Sequence, residues 1–379
     1  MSPSTAISAA RLRTLSVRDF RNLAHVELEP PAEGLVVVGE NGHGKTNLLE
    51  AIYYLELLRS VRGARDQDLV RFGAGGFHIG AEMDTDRATE VGVGFERASK
   101  RKRVRVDGVV CDRLSDALGA LPAVMFSPAD LELVAGSPGA RRRYLDILLA
   151  VTSRGYLAAL QRYRTALAHR NAALRDVARH GRGESRIAPW EAPLAEHGAV
   201  LWTERRAWVD GVRSRFGALC VAIGEAGEVA MGYSSTMPSN GDARAALAAT
   251  LEAQRAQDIR RGITQAGPHR DDLTICLDGR DLRVFGSAGQ QRTAAIALRL
   301  LEAETIRDRR GGSPLFLLDD PFAELDARRS GRIVELLADT GLGQTVLAVP
   351  RPSDIPTGLP RLDRYRIVKG VLGPWIGAS

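Results

Sequence analysis

The chain has 379 residues, enough for two domains. Its 44% hydrophobic and 26% charged content is that of an ordinary globular protein. No apolar run reaches the roughly 18 residues that a membrane span needs, and the first residues lack the apolar stretch of a secretory signal. Three widely spaced cysteines, Cys111, Cys220 and Cys276, fit neither a disulfide framework nor a zinc site and point to a reducing cytoplasm, while a net charge of +6 favours contact with polyanions.

In chain order, residues 11–29 alternate well enough for two strands around a polar turn at Arg21–Asn22, and Pro30 and Pro31 break the run. The apolar stretch GLVVV then feeds GENGHGKTN, Gly39 to Asn47. This matches GxxxxGK[ST] at Gly39, Gly44, Lys45 and Thr46, with Glu40, Asn41, Gly42, His43 and Asn47 completing the loop. The glycines let several backbone N–H groups converge on one point, and the helix that follows adds its free N-terminal N–H groups. Lys45 is expected to reach the β- and γ-phosphates of ATP, and the Thr46 hydroxyl to bind Mg²⁺. Strand-like pieces continue to Gly108. Among them KRKRVRVDG clusters Lys100, Arg101, Lys102, Arg103 and Arg105 ahead of a turn at Asp107–Gly108. That run reads equally as a solvated β-hairpin or as a nucleic-acid contact.

From Pro128 to Gly224 the texture changes to long Ala-, Leu- and Arg-rich stretches with apolar residues at helical spacing, and a further helical stretch follows SSTMPSNGDA. Strand texture returns after GPHRDDL. The chain therefore reads as an α/β lobe, residues 1–125 and 265–379, interrupted by a mainly helical lobe over 126–264. FGSAGQQRTAAIALRLL offers Ser287, Gly289 and Gln290 at a second helix N-terminus, readable either as an anion site or as an ordinary serine cap. SPLFLLDDPFAELD places Asp319 and Asp320 at the exit of a buried strand. There Asp319 would hold Mg²⁺, and Asp320 would orient or deprotonate the attacking water.

The order GENGHGKT, SAGQQ, LLDD, AELD resembles the ATPase heads of the ABC class in its DNA-repair branch. VRDFRNL, FSPADLELVAGSPGARRRYLD, AGPHRDDL and LLDDPFAELDARR bring the likeness closest to the RecF family. The resemblance implies an ABC-type P-loop fold with an inserted helical lobe. It further implies that Ser287, Gly289 and Gln290 meet the γ-phosphate held by a second copy, and that Glu324, Leu325 and Asp326 line the same seam, so that ATP supports a homodimer. The partners it implies are gapped or junction DNA, double- and single-stranded, and the mediator proteins RecO and RecR, with a role in the SOS response. Asp320 stands where ABC proteins usually carry a glutamate, which implies slow hydrolysis. Ala348, Val349 and Pro350 offer no polar group where many relatives have one, and VMFSPADL occupies the place of a glutamine loop. The rival readings are an SMC-type chromosome-structuring head, which needs heptad arms that the interval from Thr46 to Ser287 lacks, and a transporter ATPase subunit, which normally has a much shorter interval before the signature.

Overall fold

The computed structural model describes residues 10–84, 89–237, 241–322, 325, 327–339, 343–356, 359 and 362–375. The chain runs β1 (Arg11–Phe20), β2 (Leu23–Leu28), β3 (Gly34–Val38), α1 (Lys45–Leu57), α2 (Asp66–Leu69), β4 (Gly76–Asp84), β5 (Glu90–Glu96), β6 (Arg101–Val106), β7 (Val109–Val110) and β8 (Ala123–Phe126). The middle comprises α3 (Pro138–Thr152), α4 (Arg154–His180), α5 (Glu191–Ile223), β9 (Val229–Ser234), α6 (Ala243–Ala253), α7 (Arg255–Arg261), β10 (Asp272–Leu277), β11 (Arg280–Asp281) and α8 (Leu282–Phe285). It closes with α9 (Ala288–Arg310), β12 (Leu315–Asp319), α10 (Ala327–Asp339), β13 (Thr345–Val349), β14 (Asp363–Val368) and β15 (Val371–Pro374). Two compact units result: residues 1–131, 222–225 and 292–379 form one, and residues 132–221 and 226–291 the other.

The first unit holds two six-stranded sheets. One has the order β15-β14-β3-β13-β12-β8, parallel except for the β14–β15 pair. Every residue of β3, β8, β12 and β13 is buried, as uninterrupted runs such as GLVVV and LFLLD require of parallel strands covered on both faces. The other sheet, β2-β1-β4-β5-β6-β7, is antiparallel throughout. Its strands alternate: Leu15, Val17, Ile79, Val93 and Val104 point to the core, while Arg18, His78, Arg103 and Arg105 point outward. Helix α1 packs between the two sheets and touches strands of both. That position explains a sequence, KTNLLEAIYYLEL, with no polar face of its own. Phe20, Tyr54, Phe77 and Phe95 tie α1 to the antiparallel sheet, with ring centroids 5.3–6.1 Å apart.

The second unit is mainly helical, and it contains its own three-stranded sheet, β11-β10-β9. The strand texture after residue 264 therefore does not return at once to the parallel sheet of the first unit: β10 pairs with β9 and packs on α3, so the helical unit extends to Gln291. Local alternation marks a strand but does not say which sheet it joins. Its interior is built on ions. Arg141 grips both carboxylate oxygens of Asp272 at 2.8 Å, and Arg142 donates to the carbonyl of Asp271 at 2.7 Å. Arg205 donates to Asp146 (2.6 Å), to the Tyr156 hydroxyl (2.9 Å) and to the carbonyl of Pro268 (2.7 Å). RRRYLD and GPHRDDL are thus two halves of one structural lock. Among the described residues no helix is long and apolar enough to cross a membrane.

Candidate nucleotide site and basic sheet face

The loop after β3 turns through two left-handed positions, Gly42 at φ 82° and Gly44 at φ 114°, which side chains rarely tolerate. Gly44 has a steric reason as well, because a Cβ there would stand 2.8 Å from Oδ1 of Asn22. Helix α1 starts at Lys45 with no side-chain cap, leaving its first N–H groups open at the positive end of the helix. Lys45 is buried, and its Nζ donates to the carbonyls of Gly39 (2.5 Å) and Glu40 (3.1 Å). Burial lowers its pKa, opposed by the charges of Asp319 and Asp320. Glu40, Asn41 and Gly42 are exposed at the crown of the loop, and His43 sits 3.7 Å from the Glu40 carboxylate. The geometry suits a polyphosphate: open N–H groups, a glycine surface and an ammonium that, among the described residues, donates to loop carbonyls alone.

Asp319 ends β12, two strands from β3 across β13. The Thr46 hydroxyl donates to its carboxylate, 2.8 Å to Oδ2 and 3.1 Å to Oδ1. Burial raises the pKa of Asp319, and the Thr46 hydrogen bond and Lys45 charge oppose that rise. Asp320 leaves the strand at φ 47°, its N–H bonded to the carbonyl of Ala348 at 2.9 Å. Burial raises its pKa too, helped by Asp354 and opposed by Lys45 and Arg292. Thr46 and Asp319 are two hard oxygen donors side by side. Among the described residues no group of three or more His, Cys, Asp or Glu could hold a metal. A cation on this pair would complete its shell from water and phosphate oxygens, the habit of Mg²⁺.

Ser287 and Gln290 form a reciprocal cap on α9: Ser287 N–H donates to Gln290 Oε1 at 2.9 Å, and Gln290 N–H to Ser287 Oγ at 3.3 Å. Ser287 is exposed at that helix start, with Gly289 two residues on. These residues lie in the helical unit, whereas the phosphate loop lies in the other. Leu325 N–H donates to the carbonyl of Phe322 at 3.1 Å, and Glu324 and Asp326 lie outside the described residues. Ala348 is fully buried beside Asp319.

Several contributors escaped the sequence reading. Asn22 accepts from Asn47 Nδ2 (2.8 Å) and donates to the carbonyl of Gly42 (3.4 Å), so the turn read as a plain β1–β2 connection braces the loop. Arg62 reaches Asn47 Oδ1 at 3.3 Å. Glu50 sits buried in the middle of α1, where periodicity expects an apolar residue, and receives Arg21 (3.1 and 3.2 Å) and Ser60 (2.5 Å). The FRNL piece could have signalled Asn22, but nothing local could have paired Arg62 with Asn47.

The basic run divides by strand alternation. Arg101, Arg103 and Arg105 are exposed, and Lys100 occupies the turn at φ 52°. Lys102 corrects the expectation of a DNA contact. It points inward and donates to the carbonyl of Leu58 at the end of α1 (2.7 Å) and to the Tyr54 hydroxyl (3.0 Å), with the Asp66 carboxylate 2.8 Å away.

The profile of the RecF/RecN/SMC N-terminal domain family matches residues 11–349. "DNA replication and repair protein RecF" of Myxococcus xanthus is 36% identical over 352 residues, covering 89% of this chain and 90% of that protein. A solved structure of the recombination mediator protein RecF-ATP in the RecFOR pathway is 29% identical, covers 98% of this chain and 99% of its own, and superposes with a TM-score of 0.88. The Smc head domain of Pyrococcus furiosus, solved with the C-terminal domain of ScpA, is 16% identical over 96% of this chain at a TM-score of 0.56, a likeness of fold. The α/β architecture is therefore that of an ABC-type ATPase head, and with matches of this extent the chain belongs to the RecF family.

Proposed function

We propose that this chain is a cytoplasmic, ATP-dependent DNA-binding clamp of recombinational repair and replication restart. The observation that carries the reading is the contact of Thr46 with Asp319 beside a loop whose Lys45, among the described residues, donates only to the loop's own carbonyls. The Gly39–Thr46 loop receives the ATP phosphates, and Lys45 exchanges its loop carbonyls for phosphate oxygens. Thr46 and Asp319 hold Mg²⁺, which supplies charge neutralisation to the phosphates. Asp320 orients the attacking water. Its side chain is one methylene shorter than the glutamate usual in ABC proteins, so turnover is slow and times release. Ser287, Gly289 and Gln290 complete the site on a second copy, with Glu324, Leu325 and Asp326 along the seam. ATP-dependent dimerisation then follows from tighter ATP binding by the dimer than by the monomer. Gapped or junction DNA is the substrate surface, and RecO and RecR are the partners through which recombinase loading and the SOS response are served. The RecF-ATP relative supports the nucleotide part of this reading.

The test is light scattering of the full chain with ATP, ADP or no nucleotide, with and without gapped duplex, for wild type and for Ser287→Arg. The serine variant is expected to bind ATP normally as a monomer, because its own loop is untouched, yet to fail in dimerisation and ATP-dependent DNA binding together. Mixing it with Lys45→Ala should recover at most one of the two composite sites. A serine variant that still dimerises with ATP returns Ser287 to the role of helix cap.

A further inference from the structure

The outer face of the antiparallel sheet carries an arrangement that the phosphate loop does not use. Register sets His25, Arg18, His78, Gly94 and Arg103 in one row across β2, β1, β4, β5 and β6. The next row is Glu27, Ser16, Gly80, Gly92 and Arg105. Three of these outward positions have no side chain. None of Gly80, Gly92 and Gly94 has a positive φ, so no turn demands glycine there. Glycine weakens a strand interior and commonly marks close approach by a ligand or another backbone.

The imidazole of His78 lies over this bare floor. A Cβ on Gly80 would stand 3.1 Å from its Cε1, one on Gly92 3.8 Å from Nε2, and one on Gly94 3.9 Å from Cδ2. Arg18 borders the floor on one side, and Arg103 and Arg105 on the other. All three are exposed, and none makes an ion pair with a described residue. Three strand spacings of about 4.8 Å put these cationic borders roughly 14 Å apart. Acidic groups flank the two rows, with Glu96 in the adjoining row opposite Arg101. Glu27, on the outer strand β2, accepts from Ser16 Oγ at 2.9 Å, and Glu82 faces Glu90 beyond the glycine rows.

We propose that this glycine-floored trough seats the phosphate backbone of duplex DNA, with Arg18, His78, Arg103 and Arg105 as its phosphate contacts. The inference rests on the DNA-binding reading above and gives it a place on the molecule. Cationic borders match a polyanion, and a glycine floor covered by the flat His78 imidazole lets a sugar-phosphate ridge settle onto that imidazole close to the sheet. The two rows hold no Phe, Tyr or Trp, the larger stacking platforms on which single strands depend, so the occupant is duplex. His78 adds a pH response. Burial over the glycines, Arg18 and Arg105 all lower its pKa, and Glu27 opposes them. On the same face Glu96 and Arg101 occupy the adjoining row, His25 and Arg103 share the row of His78, and Glu82 lies four residues along β4. A phosphate at the imidazole favours the protonated form, so duplex affinity rises as pH falls from about 8 to 6.

The experiment uses the full chain with ATP and a fluorescent duplex of mixed sequence. Gly92→Thr combined with Gly94→Thr fills the floor without changing charge, at sites where a Cβ meets only ordinary contacts. We expect roughly tenfold weaker duplex binding, with an unchanged or raised thermal midpoint and unchanged ATP affinity. Arg18→Gln, Arg103→Gln and Arg105→Gln should each reduce the slope of log affinity against log salt by about 0.9, and His78→Gln should flatten the pH response. Wild-type duplex binding by the filled-floor variant overturns the trough, as does binding of single strands or polyglutamate as tightly as duplex. Both outcomes leave the wider reading standing. Failure of the wild type to bind any DNA with ATP overturns that wider reading itself.

Discussion

Each unit holds a buried-charge site, and the two sites are built in opposite ways. In the helical unit each buried cation is answered by protein. Arg170 donates to Asp258 (2.7 Å), Thr264 (2.9 Å), Glu191 (3.0 Å) and the carbonyl of Leu251 (3.3 Å), while Arg205 and Asp146 are each held by several groups. At the phosphate loop Lys45 is buried too, but among the described residues it donates to loop carbonyls alone, and Asp319 accepts from the Thr46 hydroxyl. The first arrangement is a finished structure, and the second holds charges ready for exchange with a ligand. The most distinctive sequence pieces, RRRYLD and GPHRDDL, belong to the finished structure. The generic GxxxxGKT is the piece to which the proposed function assigns the chemistry. Specificity of a motif is therefore a poor guide to whether its residues act on a substrate.

The comparison breaks first, and with the largest effect, at the helical lock. Arg205→Ala takes the 2.6 Å guanidinium partner from the buried Asp146 carboxylate, leaves it Tyr156 and the half-exposed Arg164, and should cost about 3 kcal/mol, read by chemical denaturation. A loss below about 1 kcal/mol would mean that the lock is not needed for folding. Lys45→Ala should do the reverse, leaving the denaturation midpoint unchanged or slightly raised, because a desolvated ammonium is removed. ATP affinity should fall by about 100-fold, the ~3 kcal/mol of strong charge-assisted hydrogen bonds, read by calorimetry. Equal stability losses in the two variants would erase the distinction between the units.

Smaller effects sharpen the ATPase side. Asp320→Asn should keep Mg–ATP binding and slow hydrolysis by at least about tenfold, roughly 1.4 kcal/mol in the barrier, whereas Asp319→Asn should weaken the Mg²⁺ dependence of binding. Identical behaviour of the two contradicts separate roles. The smallest effect is a pH response. The pKa of Asp319 is raised above the ordinary 3.8, so between that value and the raised one the folded state binds more protons than the unfolded. Its contribution to stability is therefore unfavourable at neutral pH and is relieved as pH falls. Without Mg²⁺, Asp319→Asn should melt higher than wild type at neutral pH, and the gap should close towards acid. A gap that widens in acid would show the opposite sign of shift.

Much of this was legible from residue order alone. The GLVVV strand, the glycine-rich turn, the helix from Lys45 and the LFLLD strand ending in carboxylate are local patterns, because hydrophobic runs, positive-φ turns and helix starts are set by neighbouring residues. The alternating hairpin at Arg101–Val110 was legible for the same reason. Contacts between residues far apart in the chain were not. Pairing Thr46 with Asp319, bracing the loop with Asn22, joining Arg141 to Asp272 and assigning β10 to the helical unit all depend on which surfaces meet. Lys102 states the division most clearly. Sequence alone determined that a basic strand exists there, with side chains facing alternate ways. Only the packing of that strand on the end of α1 decided which of them meets solvent and which is held by Leu58, Tyr54 and Asp66, since a two-residue period fixes alternation but not which face is covered.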